Sequence, residues 1–190
     1  MIIGLTGTMG SGKGTFSKYL KQKGFNYITI SDLVREEARN KDLAIKREVL
    51  QNLGNLMREK HGNGYWAKKA IGRINEKENW IIDGIRNTGE VEEIKKLQSS
   101  VLIGIDAPED LRLRRLEKRN KLKDEGREAS EDPKDKFGLI QIELRDRGFK
   151  EPTHGQQVLK CLDQADHKII NDSTLEEFYI KIEEILKKLQ

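Results

Sequence analysis

The chain carries a single cysteine, Cys161, so no internal disulfide can form. Long apolar runs are missing too. None approaches the roughly 18 residues of a membrane span, and the opening MIIGLTG is interrupted by glycine too early for a secretory leader. The expectation is a soluble cytoplasmic protein with no membrane partner. Internal repeats and low-complexity tracts are absent. Nor does any aromatic platform interleave with the basic residues, which argues against a nucleic-acid partner. The 32 acidic residues are interspersed among 36 basic ones for a net charge of +4, so the surface reads as mixed charge rather than a polyanion footprint.

What is present is strong periodicity. With 190 residues, 35% hydrophobic and 36% charged, the chain fits one domain over 1–190 with a sizeable core and broad solvated helical faces. Short β-rich runs, MIIGLT, NYITI, NWIID, SVLIGID and HKIIN, alternate with helical patterns. Such alternation predicts a three-layer α/β fold, a five-stranded parallel sheet with helices on both faces. In SDLVREEARNK, Ser31 or Asp32 is the expected helix cap. KREVLQNLGNLMREK places Val49, Leu50, Leu53, Leu56 and Met57 on one stripe, read as core packing rather than a site. Leu175, Phe178, Ile182, Ile185 and Leu186 form a similar stripe on a closing helix. Core packing is also the reading for Tyr65 and Trp66. NKLKDEGREASEDPK, mostly charges and small residues, predicts an exposed loop or mobile lid over about 120–136.

The densest chemistry lies in GLTGTMGSGKGTFSKYL, where Gly7, Gly12 and Lys13 satisfy the GxxxxGK spacing of a phosphate-binding loop. In such a loop consecutive backbone N–H groups and a helix N-terminus surround an anion, and glycines keep side chains out of the way. With 17 glycines in the chain, spacing alone is weak. Context carries the motif: it starts at the end of an apolar strand, adds Gly10 and Gly14, and runs into an amphipathic helix. Gly14 stands where a hydroxyl residue commonly meets magnesium, and Thr15 follows one place later, so metal contact is expected partly through water. WIIDGIRN then places Asp83 at a strand end, where a carboxylate can order the waters around Mg²⁺.

GTMGSGKGT resembles the phosphate loop of adenylate kinases and related nucleoside monophosphate kinases, with Met9 where many adenylate kinases carry proline. IGLTGTMGSGK is equally similar to the opening of dephospho-CoA kinases. IDGIRN resembles the DGFPR of adenylate kinases, whose arginine grips the acceptor phosphate; here the proline is missing and Arg86 falls one place early. SDLVREEA is similar to TGDLLR of the monophosphate kinases, which carries acceptor binding to Asp32 and Arg35. Dephospho-CoA kinases also place an aspartate there, and Asp32 would then serve as base toward a sugar hydroxyl. Arg112, Arg115 and Arg119 share a helix face by their spacing. Of these, Arg115, Leu116 and Arg119 fit the RLxxR that precedes the adenylate kinase lid, whose arginines close on the transferring phosphoryl group. Arg145 and Arg147 are candidates for the opposite lid wall. The C-terminal third, QQVLKCLDQADHKIINDSTLEEF, looks like the end of dephospho-CoA kinases.

Taken together the chain resembles a poorly assigned group of P-loop kinases lying between those two families. The resemblance implies strand order 2-3-1-4-5, an acceptor-binding helical segment over 31–77, ATP and Mg²⁺ as cofactors, and a small-molecule nucleotide acceptor. ATP phosphates are expected on Gly7, Gly10, Ser11, Gly12, Lys13, Gly14 and Thr15, with Lys13 neutralising charge on the transferred group. Asp83 and Thr15 would serve the metal, Asp32, Arg35, Arg86 and Arg145 the acceptor, and Arg115 and Arg119 the transfer state. A nucleoside or deoxynucleoside monophosphate is the favoured acceptor, with dephospho-CoA and a non-enzymatic ATP-binding switch as alternatives. Base preference and oligomeric state stay open.

Overall fold

The computed structural model describes residues 1–121, 132–133 and 135–189, with the side chains of 119–121 outside the description. The segment expected to be a lid, 120–136, therefore falls mostly outside the described residues. The chain begins with β1 (Ile2–Gly7), α1 (Lys13–Gln22), β2 (Asn26–Thr29) and α2 (Ile30–Asn40). It continues through α3 (Arg47–His61), α4 (Tyr65–Ile71), β3 (Trp80–Ile85), α5 (Thr88–Lys95) and β4 (Ser100–Asp106). The remaining elements are α6 (Glu109–Lys121), α7 (Lys136–Arg147), α8 (Val158–Asp163), β5 (His167–Ile170) and α9 (Leu175–Lys188).

The described strands form one sheet in the order β2-β3-β1-β4-β5, with every pairing parallel. Parallel strands are covered on both faces by their crossover helices, which is why their sequences read as nearly unbroken apolar runs. Alternation within β1 assigns the faces. Ile2 packs with Ile82 and Leu102 under α2, α3, α4, α5 and α8, while Ile3 and Leu5 pack with Ile81, Ile103 and Ile105 under α1 and α9. Each such fully buried aliphatic side chain contributes about 1.5–3 kcal/mol by removal from water. Gly4 keeps the first face tight, since a Cβ there would lie 2.8 Å from Ile85 and 2.9 Å from Ile94.

The chain leaves β1 to build one side of the sheet through β3 and β2, then crosses to build the other through β4 and β5. That reversal opens a crevice beyond the C-terminal end of β1, the usual ligand position in open α/β sheets. Register sets what lines it: Leu5 pairs with Asp83 on one side and Ile103 on the other. At Gly84, φ is +86°, and the register slips so that Thr6 pairs with Ile85, which carries β3 two residues beyond the expected strand end.

Three sequence expectations need correction. The cap of α2 is Thr29, whose hydroxyl accepts from the Ser31 amide at 3.2 Å; Ser31 and Asp32 already lie inside the helix. On α3, Leu50, Leu53 and Met57 are buried as expected, but Leu56 is 41% exposed, and the helix buries Arg47, Gln51, Asn55 and Arg58 instead. Its inner face is therefore half polar, and hydrophobic periodicity cannot register that half. On α9, Leu175 is exposed while Phe178, Ile182, Ile185 and Leu186 are buried. Trp66 is fully buried, its indole donating to the Gly54 carbonyl at 3.1 Å, in accord with core packing.

Candidate phosphotransfer site

The loop from Gly7 to Gly12 joins β1 to α1. Gly12 occupies the cap position of α1 with φ +112°, and no side chain caps that helix end. The first turn also carries no carboxylate. Its amides and the positive end of the helix dipole are thus available to an anion. The glycines are needed on the protein's own account as well. A Cβ at Gly7 would lie 2.0 Å from the Ile105 carbonyl oxygen, and one at Gly12 would lie 2.3 Å from Asn171 Nδ2. Gly14 differs, because an added Cβ there meets nothing within 4 Å. Only what approaches from solvent would sense a side chain at 14.

Three groups hold the loop from outside. Asn171, just past β5, donates to the Ser11 carbonyl at 2.8 Å. The Thr8 hydroxyl donates to Asp106 Oδ1 at 2.5 Å, tying the loop to the end of β4. Arg115 on α6 reaches the Gly10 carbonyl at 3.4 Å and the Asn171 carbonyl at 3.2 Å. Within the loop Lys13 folds back, its Nζ donating to the Gly7 and Thr8 carbonyls at 2.5 and 2.9 Å. Its ammonium is thereby held beside the phosphate cradle rather than on the exposed flank of α1.

Asp83 is buried beside the loop. The Tyr27 hydroxyl donates to its Oδ2 at 2.8 Å, while Oδ1 is buried with no partner among the described residues. Burial, and then the charge of Asp83, push the Tyr27 hydroxyl far above its ordinary pKa, so it remains a donor at all working pH. A desolvated carboxylate oxygen without a partner costs free energy that a hydrated cation would relieve. Thr15 lies in the first turn of α1, half-buried. Asp83 and Thr15 thus fit the chemistry of a magnesium ion held partly through water.

The second half of the site is a partly open cleft between α2, α3 and the end of β3. Arg35 from α2, Arg47 and Arg58 from α3, and Arg86 line it. All four are fixed by carboxylates. Arg35 donates to Asp32 at 2.7 Å, Arg47 to Asp132 at 2.7 Å, Arg58 to Glu90 at 2.8 Å, and Arg86 to Asp146. Arg86 also donates to Gln156 Oε1 at 3.2 Å, and its own amide donates to Glu90 Oε2 at 2.7 Å. Guanidinium groups oriented in this way lose little further freedom on gripping an anion.

The sequence-predicted residues divide accordingly. Gly7 to Thr15 share the loop and the first turn of α1, Asp83 flanks it, Arg115 covers it, and Arg35 and Arg86 meet in the cleft. Asp32 is not among the cleft-lining residues; its side chain is 67% exposed and grips Arg35. Arg145 is not among the cleft-lining residues either; it donates to Glu151 at 2.8 Å, a carboxylate that also takes Asn55. Arg119 belongs to α6, with its side chain outside the described residues. Arg112 parts from its two neighbours: it is buried, donates to the Ala107 carbonyl at 2.9 Å and pairs with Glu143, bracing α6 against α7. Arg147 reaches Glu109 and Glu143 at 3.4 and 3.8 Å.

Asn171, Tyr27, Asp106, Arg47, Arg58, Gln51 and Gln156 escaped the sequence reading. Only Asn171 had a signal, as the asparagine that precedes the terminal helix. Tyr27 and Asp106 sit in runs read only as strands, and Arg47, Gln51 and Arg58 on a helix read only for its apolar stripe, while their roles depend on contacts distant in sequence.

Comparison with known proteins places this geometry. The model of an AAA domain matches residues 3–134. A UPF0200 protein of Sulfurisphaera tokodaii is 37% identical over 189 residues, spanning 99% of this chain and 97% of its own length. A UPF0200 protein of Pyrococcus horikoshii is 32% identical over 196 residues, spanning 100% and 97%. Among solved structures, shikimate kinase from Aquifex aeolicus superposes with TM-score 0.52 at 23% identity over 100% of this chain and 96% of its own. Shikimate kinase from Bacteroides thetaiotaomicron gives TM-score 0.58 at 17% identity over 100% and 98%. The likeness to these structures is one of fold, that of a P-loop kinase-like α/β domain.

Proposed function

Because the chain belongs to the UPF0200 family and has a P-loop kinase-like fold, we propose that it transfers the γ-phosphoryl group of ATP to a nucleoside or deoxynucleoside monophosphate. The observation that carries this reading is the cleft past the end of β3, the strand paired with β1, where Arg35, Arg47, Arg58 and Arg86 supply cations for an anionic acceptor. The ATP phosphates rest on the amides from Gly10 to Thr15. Lys13 leaves the Gly7 and Thr8 carbonyls to neutralise charge on the moving group. Asp83 and Thr15 would hold a magnesium ion partly through water, and that ion would supply charge neutralisation to the phosphates. An acceptor phosphate oxygen forms the new P–O bond as the bond to the β-phosphate oxygen breaks, and ADP leaves. Arg115 supplies charge dispersal from above the loop. A monophosphate arrives ionised and needs no base, in keeping with Asp32 standing outside the cleft lining. The domain over 1–190 then takes its acceptor through the segment at 31–77, whose helices α2 and α3 line the cleft, and the expected lid at 120–136 lies mostly outside the described residues.

A coupled assay with ATP and magnesium tests this across the common monophosphates and dephospho-CoA. At least one monophosphate should stimulate ADP release well above the rate with ATP alone, and Arg115→Ala should lower that stimulated rate roughly tenfold or more. Turnover only with dephospho-CoA would transfer the reading to a hydroxyl acceptor. Tight ATP binding without acceptor stimulation, unchanged by Arg115→Ala, would identify a nucleotide-operated switch instead.

A further inference from the structure

The acceptor cleft contains two features that phosphate binding does not use. The first is Gln51, on the buried polar row of α3 and 3% exposed. Its Nε2 donates to the Ile142 carbonyl at 3.2 Å and faces Gln156 Oε1 at 3.5 Å. Turning the amide over would set oxygen against two oxygens, so its orientation is fixed by its neighbours. Gln51 Oε1 is then a buried acceptor without a partner among the described residues, on a side chain that lines the cleft. Gln156 cannot supply the missing proton through its Oε1, which already accepts from Arg86 at 3.2 Å.

The second feature is Gly54, one turn further along α3 and also in the cleft wall. Glycine inside a helix is less stable than alanine, and it persists where something needs the space. The protein itself does not need it. A Cβ at Gly54 would meet only Arg58 Nη1 at 3.8 Å and Trp66 Nε1 at 4.0 Å, both ordinary contacts. The residue is helical without positive φ, so alanine would fit the backbone. The room at Gly54 serves what enters the cleft, whose other walls there, Ile30, Val34 and Leu50, are apolar.

We propose that the cleft is a base-reading pocket in which Gly54 admits a flat nitrogen heterocycle and Gln51 Oε1 accepts a hydrogen bond from its N–H or NH₂ edge. Gln51 and Gly54 are specificity-determining residues for the acceptor. This rests on the monophosphate reading above and adds that the base, and not only the phosphate, selects the substrate. A site built to pair a substrate N–H rejects analogues without one, because its own buried acceptor is then left unpaired.

The test compares AMP, GMP, CMP and UMP with purine riboside 5′-monophosphate, which has no N–H on its base, and with ribose 5-phosphate, which has no base. Binding is read as a ligand-induced shift in melting temperature, and acceptor KM is read where turnover occurs. The best of the four nucleotides should bind at least tenfold more tightly than either analogue. Gln51→Met should erase most of that discrimination while changing the KM for ATP less than twofold. Gly54→Ala should raise the melting temperature of the unliganded protein by about 1–4 °C yet weaken nucleotide-monophosphate binding tenfold or more. A merely structural glycine would not move those two readouts in opposite directions. Ribose 5-phosphate binding as well as every nucleotide, or both variants keeping wild-type discrimination, would overturn the inference. Base-selective binding without acceptor-stimulated turnover would leave the inference standing and sink the kinase reading alone.

Discussion

Lys13→Ala lowers acceptor-stimulated turnover about 10²–10³-fold, the usual cost of removing one preorganised electrostatic donor from a transfer site. The fold barely registers the change. In the unliganded protein Lys13 contributes hydrogen bonds to the Gly7 and Thr8 carbonyls, and its side chain is only partly buried. Each such bond from a charged donor is worth at most about 1.5–3 kcal/mol, and at this partly buried position water can replace both. The two measurements, kcat per folded molecule and melting temperature, therefore separate widely. Lys13→Arg should not rescue the rate, because a broad planar guanidinium does not reproduce the compact point charge that the ammonium brings to the moving group. A variant that melts far below the wild type yet turns over normally per folded molecule would make Lys13 a loop brace and nothing more.

Arg58→Met should destabilise the protein by about 3–5 kcal/mol, because it leaves a buried carboxylate without its cation. The pair is enclosed, with side chains 3% and 0% exposed and a 2.8 Å contact. Glu90 is a junction as well as a partner. Its Oε2 takes the amides of Arg86 and Asn87, completing the capping box of α5, so the charge cannot swing out to water. For a domain of this size the loss corresponds to a fall of about 6–20 °C in melting temperature. Adding Glu90→Gln to Arg58→Met should recover part of the loss, since the stranded charge is then removed. Because Glu90 positions the Arg86 peptide, Arg58→Met should also raise acceptor KM more than ATP KM in the surviving folded fraction. A loss below about 1 kcal/mol would mean that water reaches the pair and that the cleft floor is less rigid than described.

The residues explain why the glycine loop and its helix were legible in sequence, while of the cleft only Arg35 and Arg86 were. The loop is local: strand, glycines, lysine and helix follow within one short stretch, and each obeys a steric or electrostatic demand readable in isolation. Alternation of apolar runs with helical patterns gave the parallel sheet, while its order, β2-β3-β1-β4-β5, was implied only by the resemblance to P-loop kinases. The acceptor cleft depends on contacts between distant segments. Gln51 meets Ile142, Arg58 meets Glu90, and Asn55 meets Glu151, pairs separated by 91, 32 and 96 positions. Hydrophobic periodicity finds the apolar half of α3 and is silent on a buried polar half. Arg145, a candidate for the opposite lid wall, lies outside the cleft lining and pairs with Glu151, six residues on. The cap of α2 moved to Thr29 for a similar local reason, since Ser, Thr and Asp are all competent caps and only the point where the strand ends decides among them.

The central claim is that main-chain amides from Gly10 to Thr15 enclose the ATP phosphates, and a crystal structure with magnesium and a non-hydrolysable ATP analogue tests it most directly. It should show phosphate oxygens within about 2.7–3.2 Å of those amides, with Lys13 Nζ drawn off the Gly7 and Thr8 carbonyls onto the nucleotide. An analogue bound elsewhere, with Lys13 still on its own carbonyls and no phosphate in the loop, would contradict the account.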